Sequence, residues 1–451
     1  MSKQKIQLSD HFDYSRLLRF VLPCVGTMLF TSIYGIVDGL CVSNFVGKTA
    51  FAAVNLIMPV PMLVGSVGFM LGTGGSAIVG ITLGEGDREK ADRYFSLFVW
   101  TGLVAGLLLA VVGFFAVRPA ASLLGAKGEM LDYAVRYGRL LMACLPFFIL
   151  QNMFQSFFVT AENPHLGFAF TVAAGVTNMV LDVVLVGMLH GGVEGAAIAT
   201  FISQAVGGVL PVFYFLNKRS TSSIHLGRAQ WNGGVICSAC INGSSELMTN
   251  LSMSLVNILY NYQLLRFAGE NGVAAYGVIM YAAFLFVAVF VGYAVGSAPI
   301  VSYHYGARNH AELNNLYSKS LRLIGVIAVV MTVLSMLVIP YVARIFVGYD
   351  AELLALTSHA FRVYALNFFL MDFNVYGSSF FTALGDGVTS ALISFLRTLL
   401  FQLLALIFLP MVLGIEGVWL AVTAAEAGAL CVTVLMFITK DKVFHYRKVS
   451  C

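Results

Sequence analysis

The chain of 451 residues is 59% hydrophobic and 11% charged, whereas a soluble globular protein carries roughly 25% charged residues. So little charge cannot cover a water-facing surface around so much apolar side chain, which excludes an ordinary soluble protein. The formal net charge of +4 comes from Lys and Arg in short loops rather than from one basic stripe, which argues against nucleic-acid binding. The chain is therefore expected to lie in a lipid bilayer.

Twelve apolar runs of membrane-spanning length follow one another along the chain. The first six are predicted near 17–42, 51–82, 94–117, 130–160, 165–188 and 193–216. The second six are predicted near 233–265, 272–304, 317–346, 352–382, 387–412 and 415–438. A helix needs about 20 apolar residues to cross a bilayer, so the longer runs are expected to tilt or kink. The pattern predicts an all-α integral membrane protein with twelve transmembrane helices.

The two sets of six helices are related by an internal repeat. A shift of 222 residues places Gly84 on Gly306 and Glu194 on Glu416. Because each unit has six helices, both units enter the membrane from the same side, which predicts a parallel repeat about an axis along the membrane normal. The predicted units are an N-terminal lobe over 1–216, a linker over 217–232 and a C-terminal lobe with a short tail over 233–451.

The distribution of Lys and Arg predicts the orientation of the chain. Seventeen of them lie in the segments on the side of the two termini, and five lie in the opposite loops. Basic loops resist translocation, so both termini and the linker are expected to be cytoplasmic. The polar start, Met1–Asp10, has no apolar core of a cleavable signal peptide. We expect a multi-pass protein of the plasma membrane, the inner membrane of a bacterium.

Acidic residues inside the predicted spans of the N-terminal half are candidates for an ion site. Asp38 lies in the first helix and Asp182 in the fifth, and Asn178 lies one helical turn before Asp182. Thr200 in the next helix could add a hydroxyl group. A carboxylate at mid-bilayer is costly and is retained for a function, and these oxygens suit a proton or a sodium ion. Alternatively, both aspartates are hydrated or cap helix ends.

The C-terminal half places Glu246, Asp372, Arg397 and Glu426 well inside apolar runs. Arg397 is expected either to neutralise Asp372 or Glu426 as a structural pair or to face the substrate. No phosphate-binding loop and no zinc spacing among the eight histidines occurs in the sequence. We therefore expect a protein that is not an enzyme, has no catalytic residue, and needs neither a cofactor nor a resident metal.

Four short motifs resemble the multidrug and toxic compound extrusion (MATE) transporters, and the DinF-like branch more than the NorM-like branch. They are Tyr34-Gly35-Ile36-Val37-Asp38-Gly39, Gly84-Glu85-Gly86-Asp87, Ala161-Glu162-Asn163-Pro164 and Asn178-x-x-x-Asp182. The resemblance spans both halves of the chain. It implies a V-shaped pair of lobes that exports organic cations or other amphipathic compounds in exchange for protons or sodium.

The resemblance also implies the site residues. The cation or proton site of the DinF-like branch corresponds here to Asp38, Asn178, Asp182 and Thr200. Tyr34 and Tyr137 match tyrosines near that site, and Pro23 looks like the proline at which the first helix bends. The NorM-like branch has a site in the C-terminal lobe, and Asp372 matches its aspartate. Glu246, however, is about two turns too early for its glutamate, near Met253, so that site is not carried over as a pair.

The sequence thus predicts a secondary active efflux transporter that is a monomer. Its expected partners are a drug-like molecule, a proton or sodium ion, and the lipid bilayer, but not nucleic acid. As a hypothesis, Asp38 and Asp182 share one proton at the inward-facing stage or release it when drug occupies the cleft. A flippase of lipid-linked sugars is the alternative. Such a flippase would present a cleft rich in cationic residues, for which Arg397 and Arg362 are thin support.

Overall fold

A computed structural model describes residues 5–46 and 48–447, and the regular structure in these two stretches is helical throughout. The helices of the N-terminal half run over Tyr14–Phe45 (α1), Lys48–Ile57 (α2), Pro59–Gly84 (α3), Arg88–Leu123 (α4), Glu129–Ala143 (α5), Leu145–Thr160 (α6), Pro164–Leu181 (α7) and Gly192–Leu216 (α8). A π-helical segment, Asp182–Met188, continues α7.

The C-terminal half follows the same order. Its helices run over Gly233–Asn242 (α9), Ser244–Gly306 (α10), His310–Val347 (α11), Ala351–Ala365 (α12), Phe368–Ala383 (α13), Gly387–Phe395 (α14), Phe401–Leu413 (α15), Ile415–Thr439 (α16) and Asp441–Phe444 (α17). A second π-helical segment, Leu396–Leu400, joins α14 to α15.

These helices form twelve membrane spans. Nine helices among the described residues are long and apolar enough to cross a bilayer, and two bent pairs, α5 with α6 at 54° and α12 with α13 at 45°, add two more. The 63 residues of α10 would measure about 95 Å as one rod. Its chain turns at Gly269, where φ is 60° and ψ is −149°, so α10 is two spans. Nine, two and one make twelve, and the predicted all-α architecture is confirmed.

The two halves meet along α3 and α10, where glycines let the helix backbones touch. A Cβ added at Gly84 would overlap the carbonyl oxygen of Tyr303, and a Cβ added at Gly306 would overlap that of Ile81. Both pairs are related by the 222-residue repeat. The crossing therefore lies on the pseudo-twofold axis, and only glycine fits it on either side.

Burial along α3 shows which end of the molecule is closed. Ten of the thirteen residues of 71–83 are buried, whereas only four of the twelve residues of 59–70 are buried. The closed end carries both termini, because the amide of Asn314 donates to the carbonyl oxygen of Tyr446 at 3.0 Å and the backbone N–H of Phe12 donates to Glu312 at 2.9 Å. We call it the termini end. The lobes touch there and separate towards the opposite end.

The segment between the halves packs on the N-terminal half. Ile224 is fully buried, and the backbone N–H of His225 donates to the Asp92 carboxylate at 2.7 Å. The backbone N–H of Leu226 donates to the carbonyl oxygen of Phe215 at 2.9 Å. These contacts tie the linker to α4 and α8, at the termini end.

Candidate functional site

Asp182 lies where the fifth span changes from an α-helix to a π-helix. The side chain is fully buried, and neither carboxylate oxygen has a hydrogen-bond partner among the described residues. Asn178, one turn earlier in α7, is 2% exposed. A π-helical turn widens the backbone and occurs frequently at functional sites. Two oxygen-bearing side chains thus face the protein interior on one side of this span.

Asp38 of α1 meets Asp182 across the interface between α1 and α7. The two carboxyl groups lie close to each other, although no hydrogen bond of good geometry joins them. One oxygen of Asp38 is buried without a hydrogen-bond partner. Gly175 makes this approach possible, because a Cβ there would press into the ring of Phe30 on α1. Two acids 144 positions apart in sequence therefore form one site.

Tyr137 and Thr200 complete the surroundings of the two aspartates. Tyr137 of α5 is fully buried and lies close to both carboxyl groups and to the Thr200 side chain. Its hydroxyl group has no hydrogen-bond partner of good geometry. The Thr200 hydroxyl donates to the carbonyl oxygen of Ala196 at 3.0 Å, which leaves its oxygen free to accept or to coordinate. We call Asp38, Tyr137, Asn178, Asp182 and Thr200 the aspartate site.

Tyr34 and Pro23 lie on α1 on the way to Asp38. Tyr34 is close to the Asp38 carboxyl group and packs against Phe30, with ring centroids 6.1 Å apart. Pro23 lies inside α1, and its carbonyl oxygen accepts from the Thr27 hydroxyl at 2.9 Å. A proline inside a helix leaves one backbone hydrogen bond unmade, so α1 is weakest at this point.

Arg397 pairs with Glu426 in the C-terminal half. Nε of Arg397 lies 3.9 Å from the Glu426 carboxylate, and the Asn374 amide donates to that carboxylate at 2.7 Å. The Thr433 hydroxyl in turn donates to the Asn374 side chain at 2.8 Å. Of the two partners that the sequence left open for Arg397, the structure places Glu426 beside it. Glu246 lies near the same guanidinium group.

Asp372 stands apart from this network. It is fully buried on α13, and both of its carboxylate oxygens lack a hydrogen-bond partner in the described part of the chain. No cation is found beside it there. Among the acids inside the C-terminal half, Glu426 and Glu246 therefore lie beside Arg397, whereas Asp372 is isolated.

Sequence reasoning missed Asn374 and Thr433, which support Glu426. Both are fully buried polar residues in apolar spans. The 222-residue shift places Asn374 on Asn152, another buried amide. This match of two asparagines in the repeat is the sequence feature that could have indicated a polar network, because a buried amide must find partners inside the lobe.

The aspartate site offers oxygen atoms and negative charge, and no Lys or Arg among the described residues is paired with it. Buried carboxylates must be neutralised by a proton or a cation. Carboxylate, amide and hydroxyl oxygens also suit a small hard cation such as sodium. The site therefore fits reversible binding of one monovalent ion, and its position in one lobe fits coupling of that ion to movement of the lobes.

A family model described as MatE matches the chain twice, over residues 23–184 and 247–407. Among curated proteins, the Multidrug export protein MepA of Staphylococcus haemolyticus is 23% identical over 437 residues, covering 97% of this chain and 95% of its own. MepA of Staphylococcus saprophyticus is 22% identical over 431 residues, covering 95% of both chains.

Solved structures share the fold over nearly the whole chain. The outward-facing conformation of a multidrug resistance MATE family transporter of the MOP superfamily superposes with a TM-score of 0.91 at 24% identity, covering 99% of both chains. A MOP superfamily transporter from Pyrococcus furiosus, whose binding pocket of reverse polarity suggests a different function, gives a TM-score of 0.89 at 25% identity, covering 98% of this chain and 99% of its own.

Proposed function

The chain belongs to the MatE family of membrane transporters, and from this premise we propose how it couples drug efflux to an ion. It is a multi-pass secondary active transporter rather than an enzyme. Relatives that match its whole length are named for multidrug export, and we propose drug-like organic cations or other amphipathic compounds as its substrates. It would work by alternating access as a monomer, with both termini on the cytoplasmic side of a bacterial plasma membrane.

The meeting of Asp38 and Asp182 carries this proposal. Two buried carboxyl groups within reach of each other cannot both be charged at low cost, so the site favours the state that holds one proton or one sodium ion. Loss of the ion leaves two like charges facing each other across α1 and α7. That repulsion would push on α1, whose backbone is weakened at Pro23.

Drug and ion would then compete through the conformation of the lobes. Thermodynamic reciprocity requires that, if bound drug weakens ion binding by some factor, bound ion weakens drug binding by the same factor. Asn178 and Thr200 would orient the ion, while Tyr34 and Tyr137 would shape the wall of the site. Asp372, Arg397, Glu246 and Glu426 would serve the C-terminal lobe as supporting or substrate-facing groups.

The alternative of a flippase for lipid-linked sugars finds no support in the relatives. The structure also weakens its sequence basis, because the charge of Arg397 is offset by Glu426. Arg362 lies on an exposed position of α12. Neither residue thus makes a cationic cleft for an anionic head group.

The variant Asp182→Asn tests the proposal. It removes the charge and keeps the shape of the side chain, so we expect drug efflux from cells to fall to the level of cells without the transporter, at unchanged expression. Asp132→Asn is the matched control, since Asp132 is an exposed acid of the same lobe. Undiminished efflux by Asp182→Asn would show that the aspartate site does not couple transport.

The coupling ion is identified in proteoliposomes of the purified wild-type protein. Addition of cationic dyes should alkalinise the lumen if protons are exchanged, and this signal should be absent in Asp182→Asn. Exchange driven by sodium would instead require a sodium gradient and would leave the lumenal pH unchanged. If no dye gives either signal, the proposed substrate class is wrong.

A further inference from the structure

Residues 5–13 precede α1 and cross the termini end of the molecule from one lobe to the other. We call this segment the strap. Its chain has no regular structure of its own apart from a turn at Leu8–Asp10, so its position is set by what it contacts. Those contacts change from the N-terminal lobe at Leu8 to the C-terminal lobe at Phe12, four residues later.

The N-terminal lobe holds the strap through Glu162, in the loop between α6 and α7. The Glu162 carboxylate accepts from the backbone N–H of Leu8 at 2.8 Å and lies 3.8 Å from the Lys5 ammonium group. Lys5 also donates to the carbonyl oxygen of Thr221 in the linker at 2.6 Å. Burial lowers the pKa of Lys5, and the nearby Glu162 partly offsets this.

The backbone of Glu162 adopts an unusual conformation for this contact. Its φ is 60°, in the left-handed region that favours glycine. A non-glycine residue held there is strained, and the surrounding structure must compensate. The conformation starts α7 at Pro164 and leaves the carboxylate of Glu162 directed at the strap.

The C-terminal lobe holds the strap through Glu312, in the first turn of α11. The Glu312 carboxylate accepts from the backbone N–H of Phe12 at 2.9 Å and contacts the His11 ring at 2.6 Å. The carbonyl oxygen of Phe12 accepts from Asn315 at 3.0 Å and from Lys319 at 2.8 Å. Both polar groups of the Phe12 backbone are therefore bound to α11.

Two apolar side chains seat the strap between the lobes. Leu8 and Phe12 are fully buried. The Phe12 ring packs edge-on against Phe20 of α1, with centroids 6.0 Å apart, and against His304 of α10, with centroids 6.5 Å apart. One aromatic ring thus touches an N-terminal-lobe helix and a C-terminal-lobe helix.

We propose that the strap is a latch that holds the two lobes together at the termini end. The half-buried Glu162 and the buried Glu312 are its two catches, one on each lobe. This inference rests on the proposed alternating access, in which the termini end opens once per transport cycle. No backbone can stay bound to Glu162 and Glu312 while the lobes move apart, so the strap must leave at least one catch.

Cys24 reports whether the termini end is open. It lies on α1, is 4% exposed, and contacts the position of Gly296 on α10. Separation of the lobes would uncover its thiol. Alkylation of individual cysteines, quantified by mass spectrometry, therefore follows the opening of the native protein, and the exposed Cys237 measures reagent delivery in the same sample.

The test uses the full chain in proteoliposomes with the variant Glu162→Gln/Glu312→Gln. Glu89→Gln is the matched control, because Glu89 is an exposed acid of the same end and pairs with Arg93 rather than with the strap. We expect deuterium exchange at Leu8 and Phe12 to rise about five- to tenfold, because the Gln oxygen still accepts from each N–H but replaces a hydrogen bond to a charged group by a weaker neutral one. Alkylation of Cys24 should accelerate by a similar factor, with Cys237 unchanged.

Faster exchange in the strap without faster alkylation of Cys24 would overturn the latch, since the strap would then move without affecting the lobes. Unchanged exchange would overturn the roles of the two acids. If the double variant does not fold, the single variant Glu162→Gln is tested by the same two measurements. It changes only the contact between the strap and the N-terminal lobe. Drug efflux by the wild-type protein is scored separately, so a failed latch is distinguished from a failed transport function.

Discussion

Asp182 and Asp372 show that burial alone does not define a coupling residue. Both are fully buried and both lack hydrogen-bond partners among the described residues. They differ in their neighbours, because Asp182 meets Asp38 whereas Asp372 has no second acid and no cation beside it in the described part of the chain. An ion could therefore be shared between two acids at Asp182 but not at Asp372.

Arg397 and Glu426 belong to a different kind of site, in which the cation is part of the chain. We expect Arg397→Met to lower the free energy of unfolding by about 3–5 kcal/mol, because it leaves Glu426 buried and uncompensated. Glu426→Gln should cost less, since Glu246 remains near the guanidinium group. The double variant should recover most of the loss. The measurement is denaturation of the purified proteins in detergent micelles, and additive effects would contradict the pairing.

At the scale of helices, the internal repeat is preserved in one place and altered in another. It is preserved where α3 crosses α10, since Gly84 packs on the backbone of α10 as Gly306 packs on that of α3. The fifth span of each half also contains a π-helical segment, but at different depths. One begins at Asp182 and the other at Leu396, 18 and 9 residues after the helix start at Pro164 and Gly387. The fifth span of each half can thus place a different charged group at a different depth in the membrane.

Gly84→Ala should open the crossing. The added Cβ would overlap the backbone of Tyr303, which cannot move aside as a flexible side chain would. We expect a loss of about 1–3 kcal/mol in the free energy of unfolding. Gly306→Ala should behave alike, and the two effects should be less than additive because they act at one contact.

The control for this pair is Gly277→Ala, at a helical position of α10 with nothing within 4 Å of the added Cβ. It should raise the free energy of unfolding by about 0.5–1 kcal/mol, because alanine favours the helix over glycine and the added Cβ meets no neighbour. If Gly84→Ala were as stable as Gly277→Ala, the close approach of α3 and α10 would not hold the lobes together.

At the scale of the molecule, the two lobes share a scaffold and differ in chemistry. The 222-residue shift places Asp182 on Leu404 and Thr200 on Val422, so the C-terminal lobe has no copy of the aspartate site. It has instead the network of Arg397, Glu426 and Asn374. We infer that the ion acts on the first lobe and that the second responds through the shared interface.

The orientation of the molecule gives a prediction for the whole chain. The first and last described residues lie at one end, and the positive-inside bias predicts that this end is cytoplasmic. Green fluorescent protein fused to the C-terminus should fluoresce, and alkaline phosphatase fused there should be inactive. Phosphatase inserted after Gly348, between α11 and α12, should be active because that loop lies at the opposite end. An active C-terminal phosphatase fusion would reverse the orientation.

Hydropathy and the repeat were sufficient to predict twelve helices in two sets of six. The reason is physical, because every backbone polar group in a bilayer must be satisfied within its own segment, so local sequence decides the element. The candidates Asp38, Asn178, Asp182 and Thr200 could be proposed from the cost of polar groups in lipid and from a family resemblance.

Only the tertiary structure decided which of these groups meet. Asp38 reaches Asp182 because Gly175 lets α1 approach α7, and Arg397 lies beside Glu426 rather than Asp372. In the sequence the strap is a polar start of the chain, yet Glu162 and Glu312 hold it from opposite lobes. Contacts between residues 150 to 300 positions apart depend on how helices cross, and no local pattern of the sequence specifies that.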